Sequence, residues 1–587
     1  MDHKNWIMTA ALVGGAACSG GGTALPNGAE GDTGKVELEL TNAPADATCL
    51  KFSVTGSRST SRSIDLTPGA STTYLVDRLP VGIATVTGQA YSVACSAVGA
   101  ATVPAFVAES SVTVRIDPLD VAKVVLKLIR NGRASIGVDF EASNDPYLVP
   151  TAPGVITKAI LTVGESVNTK ADGTPYRMVG IPDGLGALDN GDGTFTLLAN
   201  HELPGNGVVH AHGSKGAFVS KWTIRKSDLT VLKGEDLMQQ FVAWDPAASA
   251  YKAAGPGPVF QRFCSADLAA PSAYFDAASG LGTAERLFLD GEESGTEGKG
   301  LAHALNGVTY ELPRLGKMAF ENSVAAPLSG QKTVVVSTDD GQNGQVYLYI
   351  GTKTSTGSVI DKAGLTNGNT FAVKVAGFPV EPVATGIPSG TDFSLVDLGN
   401  VENTTGTAFD AASVAAGSTT FQRPEDAAWD PKNPNDLYFV TTSSFTTPSR
   451  LWRLHFTDAQ NLALGGKIDM LLDGTEGFKM ADNITVDKKG HIYIQEDIGG
   501  QDALGKIFRY DIATDTLTLI AQHNPALFTP GAAGFLTRDE ESSGIIDASE
   551  ILGAGWLLVD VQAHFTNADP ELVEGGQFLA VFDPAGK

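Results

Sequence analysis

Ala481–Gly500, ADNITVDKKGHIYIQEDIGG, reads as a strand, a polar turn and a second strand, with two carboxylates, Glu496 and Asp497, at the second strand's end. The unit recurs. TFTLLANHELPG precedes GAFVSKWTI, RLFLDGEESG precedes LAHALNGVTYEL, and TVVVSTDDGQNG precedes QVYLYIG. DLYFVTTSSFTTPS precedes RLWRLHF, HIYIQEDIGGQDALG precedes KIFRYDI, and WLLVDVQAHF precedes QFLAVF. Each copy is a strand, a Gly-bearing polar loop and another strand, with an irregular period because the loops differ in length. Diverged paired-strand repeats of this kind predict a β-propeller over residues 145–587, with roughly six blades.

Composition agrees with an all-β chain. The 587 residues include 67 glycines, 42% are hydrophobic and only 18% charged. Such a chain has enough apolar material for more than one folded core. Val, Thr, Ile, Phe and Tyr fall in short runs broken by Gly, Asn, Asp and Pro, the pattern of strands and turns. A formal net charge of -25 argues against nucleic acid as a partner, since phosphate binding needs a basic surface.

The N-terminus, MDHKNWIMTAALVGGAACSGGG, has a lysine, a short apolar run and small residues before Cys18. This predicts a lipoprotein signal over 1–18, lipidation of Cys18 and a flexible tether over 19–34. A simple secretory signal is the alternative. The expected location is the cell envelope, outside the cytoplasm, with no membrane contact beyond a lipid anchor, and the expected state is a monomer. Residues 35–140 contain seven short alternating runs, among them VELELTNAP, CLKFSVTG and SSVTVRIDP, and predict a small Ig-like β-sandwich. Cys49 and Cys95 both lie there, and export implies an oxidising compartment, so a disulfide is expected; two buried free thiols are the alternative.

In a propeller, equivalent strand ends meet at the channel mouth. The register of Glu496-Asp497 holds His201-Glu202, Glu292-Glu293, Asp339-Asp340, Thr442-Ser443 and Gln562-Ala563-His564 in the other units. Further acids precede other strands: Glu321 in AFENS, Glu425 in FQRPEDAAWD, Asp482 in ADNITVD and Glu540-Glu541 in RDEESSG. One acidic pair at a strand end is an ordinary solvated turn. Many carboxylates on one axis repel unless cations or protons neutralise them. Hard oxygen donors in such numbers suit Ca²⁺, and a transition metal becomes feasible where His201 or a thiolate joins. Arg423, two residues before Glu425, suits a phosphate or carboxylate clamp, or a structural ion pair.

These residues carry a resemblance to the PhoX-type alkaline phosphatases. The matching stretches are DGLGALDNGDGTFTLLANHE, GEE at Gly291–Glu293, LGKMAFEN, STDDGQNGQVYLYIG, QRPED, ADNITVDKKGHIYIQED and DEESSGIIDASEILGAGWLLVDVQAH. The resemblance implies a six-bladed propeller with a metal cluster of calcium and ferric iron at its mouth. It also implies extracytoplasmic hydrolysis of phosphomonoesters. It makes Glu202, Glu293, Glu321, Glu425, Asp482, Asp497 and Glu541 candidate metal ligands and Arg423 a candidate phosphate clamp. The family usually has Cys-Glu-Glu where this chain has Gly291-Glu292-Glu293. That departure leads to the expectation of a calcium-only site, or of altered iron binding. Cys264, in QRFCSADL, is read as a buried structural thiol ahead of a ligand, because only a folded-in insertion would bring it to the cluster.

DNGDGTF at Asp189–Phe195 reads as a hairpin turn ahead of a calcium loop, and His210 and His212 in VVHAHG are a weak zinc signal without a third ligand. The leading expectation is a calcium-dependent phosphomonoesterase. The alternatives are a non-catalytic calcium-stabilised propeller that binds a ligand or surface partner, and a calcium-dependent esterase or lactonase.

Overall fold

The computed structural model describes residues 6–9, 33–41, 46–67, 72–99, 102–108, 111–117, 121–124, 127–130 and 145–587. The chain divides into two compact units, Met1–Ile136 and Gly137–Lys587. Cys18 and most of the segment read as leader and tether lie outside the described residues. Of that leader the structure describes Trp6–Thr9, which pairs antiparallel with Thr33–Thr41 and Lys127–Arg130. Among the described residues no helix is long and apolar enough to cross a membrane.

The first unit is built of short strands around a core that includes Val36, Leu50, Phe52, Val86, Phe106 and Ile116. Its strands form one continuous ten-stranded pairing network. The pairing alone therefore does not yield the two separate sheets of the expected Ig-like sandwich. Cys49, buried at the start of the strand Cys49–Thr55, is disulfide-bonded to Cys95 across 46 positions.

The second unit is a β-propeller of successive antiparallel meanders. The first blade is Pro182–Asp189, Thr194–His201, Phe218–Arg225 and Val231–Asp236. The second contains Leu287–Gly291, Gly300–Ala304 and Val308–Glu311, with Gln240–Val242 added parallel on its outer edge. The third starts at Phe320–Ala325 and the fourth at Pro424–Trp429, and Thr391–Gly399 pairs with Gly466–Leu472 to join them into nine strands. The fifth starts at Ala481–Val486 and the sixth at Glu540–Asp547. Ile156–Thr162, from the beginning of the unit, is the outermost strand of the last blade, against Gly575–Phe582. Neighbouring blades share apolar cores: Phe195, Leu197 and Trp222 of the first pack with Leu558 and Phe578 of the last, which closes the ring.

The second strand of each blade is buried on both faces, which explains runs such as LYFV and WLLV, with apolar side chains on both parities. The Asp189–Thr194 stretch is a hairpin turn: Asp189 Oδ1 accepts from Gly191 N at 2.8 Å and Asp192 Oδ1 from Thr194 N at 3.0 Å.

The Cys49–Cys95 bridge closes a long loop. On the chain-entropy account, Cys49→Ala with Cys95→Ala should lower the unfolding free energy of the first unit by about 4 kcal/mol. Equal denaturant midpoints for the oxidised protein and the double variant would contradict this.

Candidate metal centre

A single irregularity, repeated round the ring, builds the site. In five innermost strands the pairing advances three residues against two on the neighbouring strand. These shifts lie between Pro182 and Leu185, Phe320 and Ser323, Pro424 and Ala427, Ala481 and Ile484, and Ser542 and Ile545. The second blade also inserts one extra residue, advancing four against three, in a segment the sequence did not mark as a strand. Phe263 bridges Glu292 and Asp267 bridges Leu289, so residues 263–267 form its inner edge. A bulge of this kind bends the strand and re-aims a side chain. The first residue inside the bulge is Asp183, Cys264, Glu321, Glu425, Asp482 and Ser543, in blade order.

A second tier comes from the neighbouring strand: Glu202, Glu293, Asp340, Thr442 and Asp497, each one residue past the last position paired within its blade, and Gln562, which is itself a paired position. The backbone N–H groups of the first five donate to the carbonyls of Ile181, Arg262, Ala319, Arg423 and Met480, at 2.8–3.0 Å. Glu541 occupies the same place in the sixth blade as those carbonyl residues and pairs with Gln562. Of the five, all but Ala319 have positive φ, the left-handed conformation unusual for residues other than glycine. Arg262 and Arg423 are therefore counterparts, two residues before Cys264 and Glu425.

The two tiers converge. One donor atom each from Glu321, Glu425 and Asp482 lie within 4.8 Å of one another, and so do donor atoms from Asp183, Glu202 and Cys264. Ser265 Oγ donates to Glu321 Oε1 at 2.7 Å and lies 2.6 Å from the Asn483 amide, linking the second, third and fifth blades. Gln562 Nε2 donates to Glu202 Oε2 at 2.9 Å and to Asp183 Oδ2 at 3.2 Å, tying the sixth blade to the first. The backbones of Asp497 and Glu541 form a β-bridge, and Glu541 Oε2 is 3.5 Å from His564 Nε2.

Arg423 donates through Nε to Asp340 Oδ1 at 2.8 Å and through Nη2 to Asp340 Oδ2 at 2.7 Å, and its Nη2 is 3.0 Å from Glu425 Oε1. Arg262 donates through Nε to Glu202 Oε1 at 2.6 Å and pairs through Nη2 with Glu293. Both side chains reach the surface of the mouth, at 31% and 47% exposure.

The geometry revises several expectations. Strand alternation divides the pairs His201-Glu202, Glu292-Glu293 and Glu496-Asp497: one member faces the mouth and its neighbour faces away. His201 faces away, with Nδ1 3.0 Å from Gly180 O, Nε2 2.9 Å from Ser220 Oγ and its ring stacked on Phe218. It is no metal candidate. Glu292 is bound by Lys299 at 3.0 Å, and Glu496 accepts from Lys479 N at 2.7 Å. Asp497, not Glu496, faces the mouth.

The larger correction concerns Cys264. Its thiol lies in the acidic cluster, donating to Glu293 Oε2 at 3.1 Å. Gly291 could not supply a thiol, because a Cβ there would come within 2.5 Å of Phe320. Cys264 does so from the opposed segment, seated by Gly184, whose N–H donates to Cys264 O at 3.1 Å and where a Cβ would lie 2.6 Å from that oxygen. Asp183 and Arg262 were not singled out by the sequence reading, which placed Gln562 in the strand-end register without giving it a role. The resemblance of QRFC to QRPE was the available signal for Arg262.

Burial is the largest cause pushing Asp183, Glu321, Glu425 and Asp482 well above the ordinary carboxylate range, and neighbouring acids add to it. Glu293 and Asp497 are pushed up to about 8, mainly by burial, with Arg262 opposing at Glu293 and Glu541 contributing at Asp497. Burial and the adjoining carboxylates raise the Cys264 thiol as well. His564 rises to about 11: burial opposes its charge, but Glu541 and Glu574 outweigh it. Asp183 Oδ1 is buried without a hydrogen-bond partner. Crowded acids, an orphaned carboxylate oxygen and a thiol fit bound cations: oxygen donors alone on one side, oxygen and sulfur on the other.

Residues 303–541 match the family described as Alkaline phosphatase PhoX. Among solved structures, Pseudomonas fluorescens PhoX in complex with vanadate, a transition state analogue, is 13% identical, with 76% of this chain and 97% of that chain covered, at a TM-score of 0.52. Trypanosoma rangeli sialidase in complex with 2,3-difluorosialic acid is 10% identical, covering 74% of this chain and 59% of its own, at a TM-score of 0.32. Chaetomium thermophilum Sqt1, bound to the N-terminus of the ribosomal protein L10, is 9% identical, covering 69% and 97%, also at 0.32. No curated protein sequence matches.

The raised acids set a sign. Without cations, the native state holds protons on Glu293 and Asp497 that the unfolded chain, with ordinary values of 4.5 and 3.8, has released. Stability of the chelated protein should therefore fall as pH rises from about 4 through about 8. Added divalent cation should reverse the fall. A melting temperature of the chelated protein that is flat or rising across this window would refute the convergence of these acids.

Proposed function

From the premise that the propeller is a PhoX-type alkaline phosphatase domain, we propose that this chain hydrolyses phosphomonoesters at the mouth of the propeller, in a calcium-dependent reaction. The observation that carries the reading is the pairing of two converging ligand groups with two surface-reaching guanidiniums, Arg262 and Arg423.

Glu321, Glu425 and Asp482 would hold Ca²⁺, with Asp497 and Glu541 completing an all-oxygen environment. Asp183, Glu202, Glu293 and Cys264 add a thiolate to carboxylates, a donor set suited to iron as in the family resemblance. Bound cations would supply Lewis acidity toward the phosphoryl oxygens and a nucleophilic oxygen at moderate pH. Because the acids and thiol must lose protons to bind metal, loading strengthens as pH rises through about 8, which agrees with an alkaline working range.

Arg423 is held rigid by Asp340 and Arg262 by Glu202 and Glu293, so each keeps a fixed orientation. Among the described residues neither Nη1 has a hydrogen-bond partner, which leaves a donor on each for a phosphoryl oxygen. The Pseudomonas fluorescens protein binds vanadate, a transition state analogue, and this pair of clamps suits an oxyanion of that kind. Hydrolysis breaks the ester P–O bond and joins the phosphorus to an oxygen derived from water. The alcohol leaves with a proton, and inorganic phosphate is the product. Export and lipidation at Cys18 belong to the same proposal.

The test combines elemental mass spectrometry with p-nitrophenyl phosphate turnover on the soluble region. Calcium should be bound, and chelation should abolish turnover. Arg423→Ala should lower kcat by roughly a hundredfold with metal content retained. Cys264→Ser should lose transition metal while keeping calcium. Bound calcium with no turnover, even with iron supplied, would favour a ligand-binding propeller or an ester substrate.

A further inference from the structure

Beside the cluster lies a cavity of about 360 Å³, lined at its inner end by Arg262, Glu293 and Asp340 and continuing outward between Lys317, Asp339 and Asp410. Its volume suits a small organic group. Tyr347 and Phe409, with ring centroids 4.6 Å apart, also line it. One wall is the loop Gly341–Gly344. Gly344 O accepts from Phe421 N at 2.8 Å, and Gln342 bridges Gln422, so the wall is fastened to the residues that lead into Arg423.

The charges at the inner end are already matched: Arg262 by Glu202 and Glu293, Asp340 by Arg423. Lys317 is taken by Glu297 at 3.0 Å. Asp339 and Asp410 are different. Asp339 Oδ1 accepts from Ala319 N at 3.2 Å and Asp410 Oδ1 accepts from Gln345 Nε2 at 3.1 Å, both neutral donors. Among the described residues neither has a cationic partner within ion-pair distance. The cavity thus joins a phosphate-clamping inner end to an outer end with two unmatched carboxylates and aromatic lining.

We propose that this cavity receives the leaving alcohol and favours phosphomonoesters whose alcohol carries an ammonium group. A phosphoryl group at the cluster would leave the alcohol stem in the cavity, where an ammonium meets Asp410 and Asp339, with the aromatic lining adding attraction for a cation. This inference rests on the phosphatase reading.

The test uses the metal-loaded full chain with 2-aminoethyl phosphate and its neutral isostere, propyl phosphate. Phosphate release and calorimetric binding are both measured, for wild type and Asp410→Asn. The expected result is a kcat/KM about fivefold or more higher for the ammonium ester, with most of that ratio lost in Asp410→Asn. Equal kcat/KM for the two esters, or a preference unchanged in Asp410→Asn, would overturn the inference while leaving the phosphatase reading intact. Tighter, Asp410-dependent binding of the ammonium ester without turnover would sustain the pocket and overturn the phosphatase reading. Equal binding without turnover would overturn both.

Discussion

The mutual repulsion of acids gathered by repeated bulges governs this propeller. Each inner strand inserts one extra residue at the same height, and in four blades that residue is Asp or Glu. Two like charges within 4.8 Å of each other cost about 3.5 kcal/mol or more at an effective dielectric of about 20. Such crowding needs compensation, and the molecule shows two built-in forms: fixed guanidiniums at Arg262 and Arg423, and an imidazolium at His564 held between Glu541 and Glu574. The remaining negative charge is what makes the mouth receptive to cations.

The same bulges also hold the ring together. Their second residues are Gly184, Ser265, Asn322, Asp426, Asn483 and Gly544. Asp426 accepts from Asn322 of the preceding blade and from Ile484 N of the following one at 2.9 Å. Gly184 N donates to Cys264 O of the second blade at 3.1 Å. Fold and site are therefore hard to separate: the residue that aims outward carries the chemistry, and its neighbour fastens adjoining blades. The rigidity this gives is what an oxyanion site needs, since donors fixed in place need no reorganisation when charge develops.

The thiol illustrates how such a site can keep its chemistry when one position changes. Gly291 lies against Phe320 and has no room for a side chain, yet Cys264 enters the cluster from the facing segment. A motif comparison at Gly291–Glu293 alone sees a missing ligand. The three-dimensional arrangement has the sulfur in the second blade's bulge, in the place that Glu425 fills in the fourth.

The sequence by itself determined the propeller, because paired strands around polar loops repeat in a pattern that local turn chemistry and alternation make readable. It also marked Glu202, Glu293, Glu321, Glu425, Asp482, Asp497 and Glu541 as acids beside strand ends, and it pointed to the cysteine pair of the first unit, which is disulfide-bonded. It could not determine which member of each acidic pair faces the mouth. That depends on a one-residue register, and a one-residue shift turns every side chain to the other face. His201 and Glu496 were misplaced for that reason. Nor could it reveal Asp183, Arg262, the role of Gln562 or the true setting of Cys264. Those residues meet only when the first and last blades close on each other and residues 263–267 complete the second, contacts between positions hundreds of residues apart that no local pattern records.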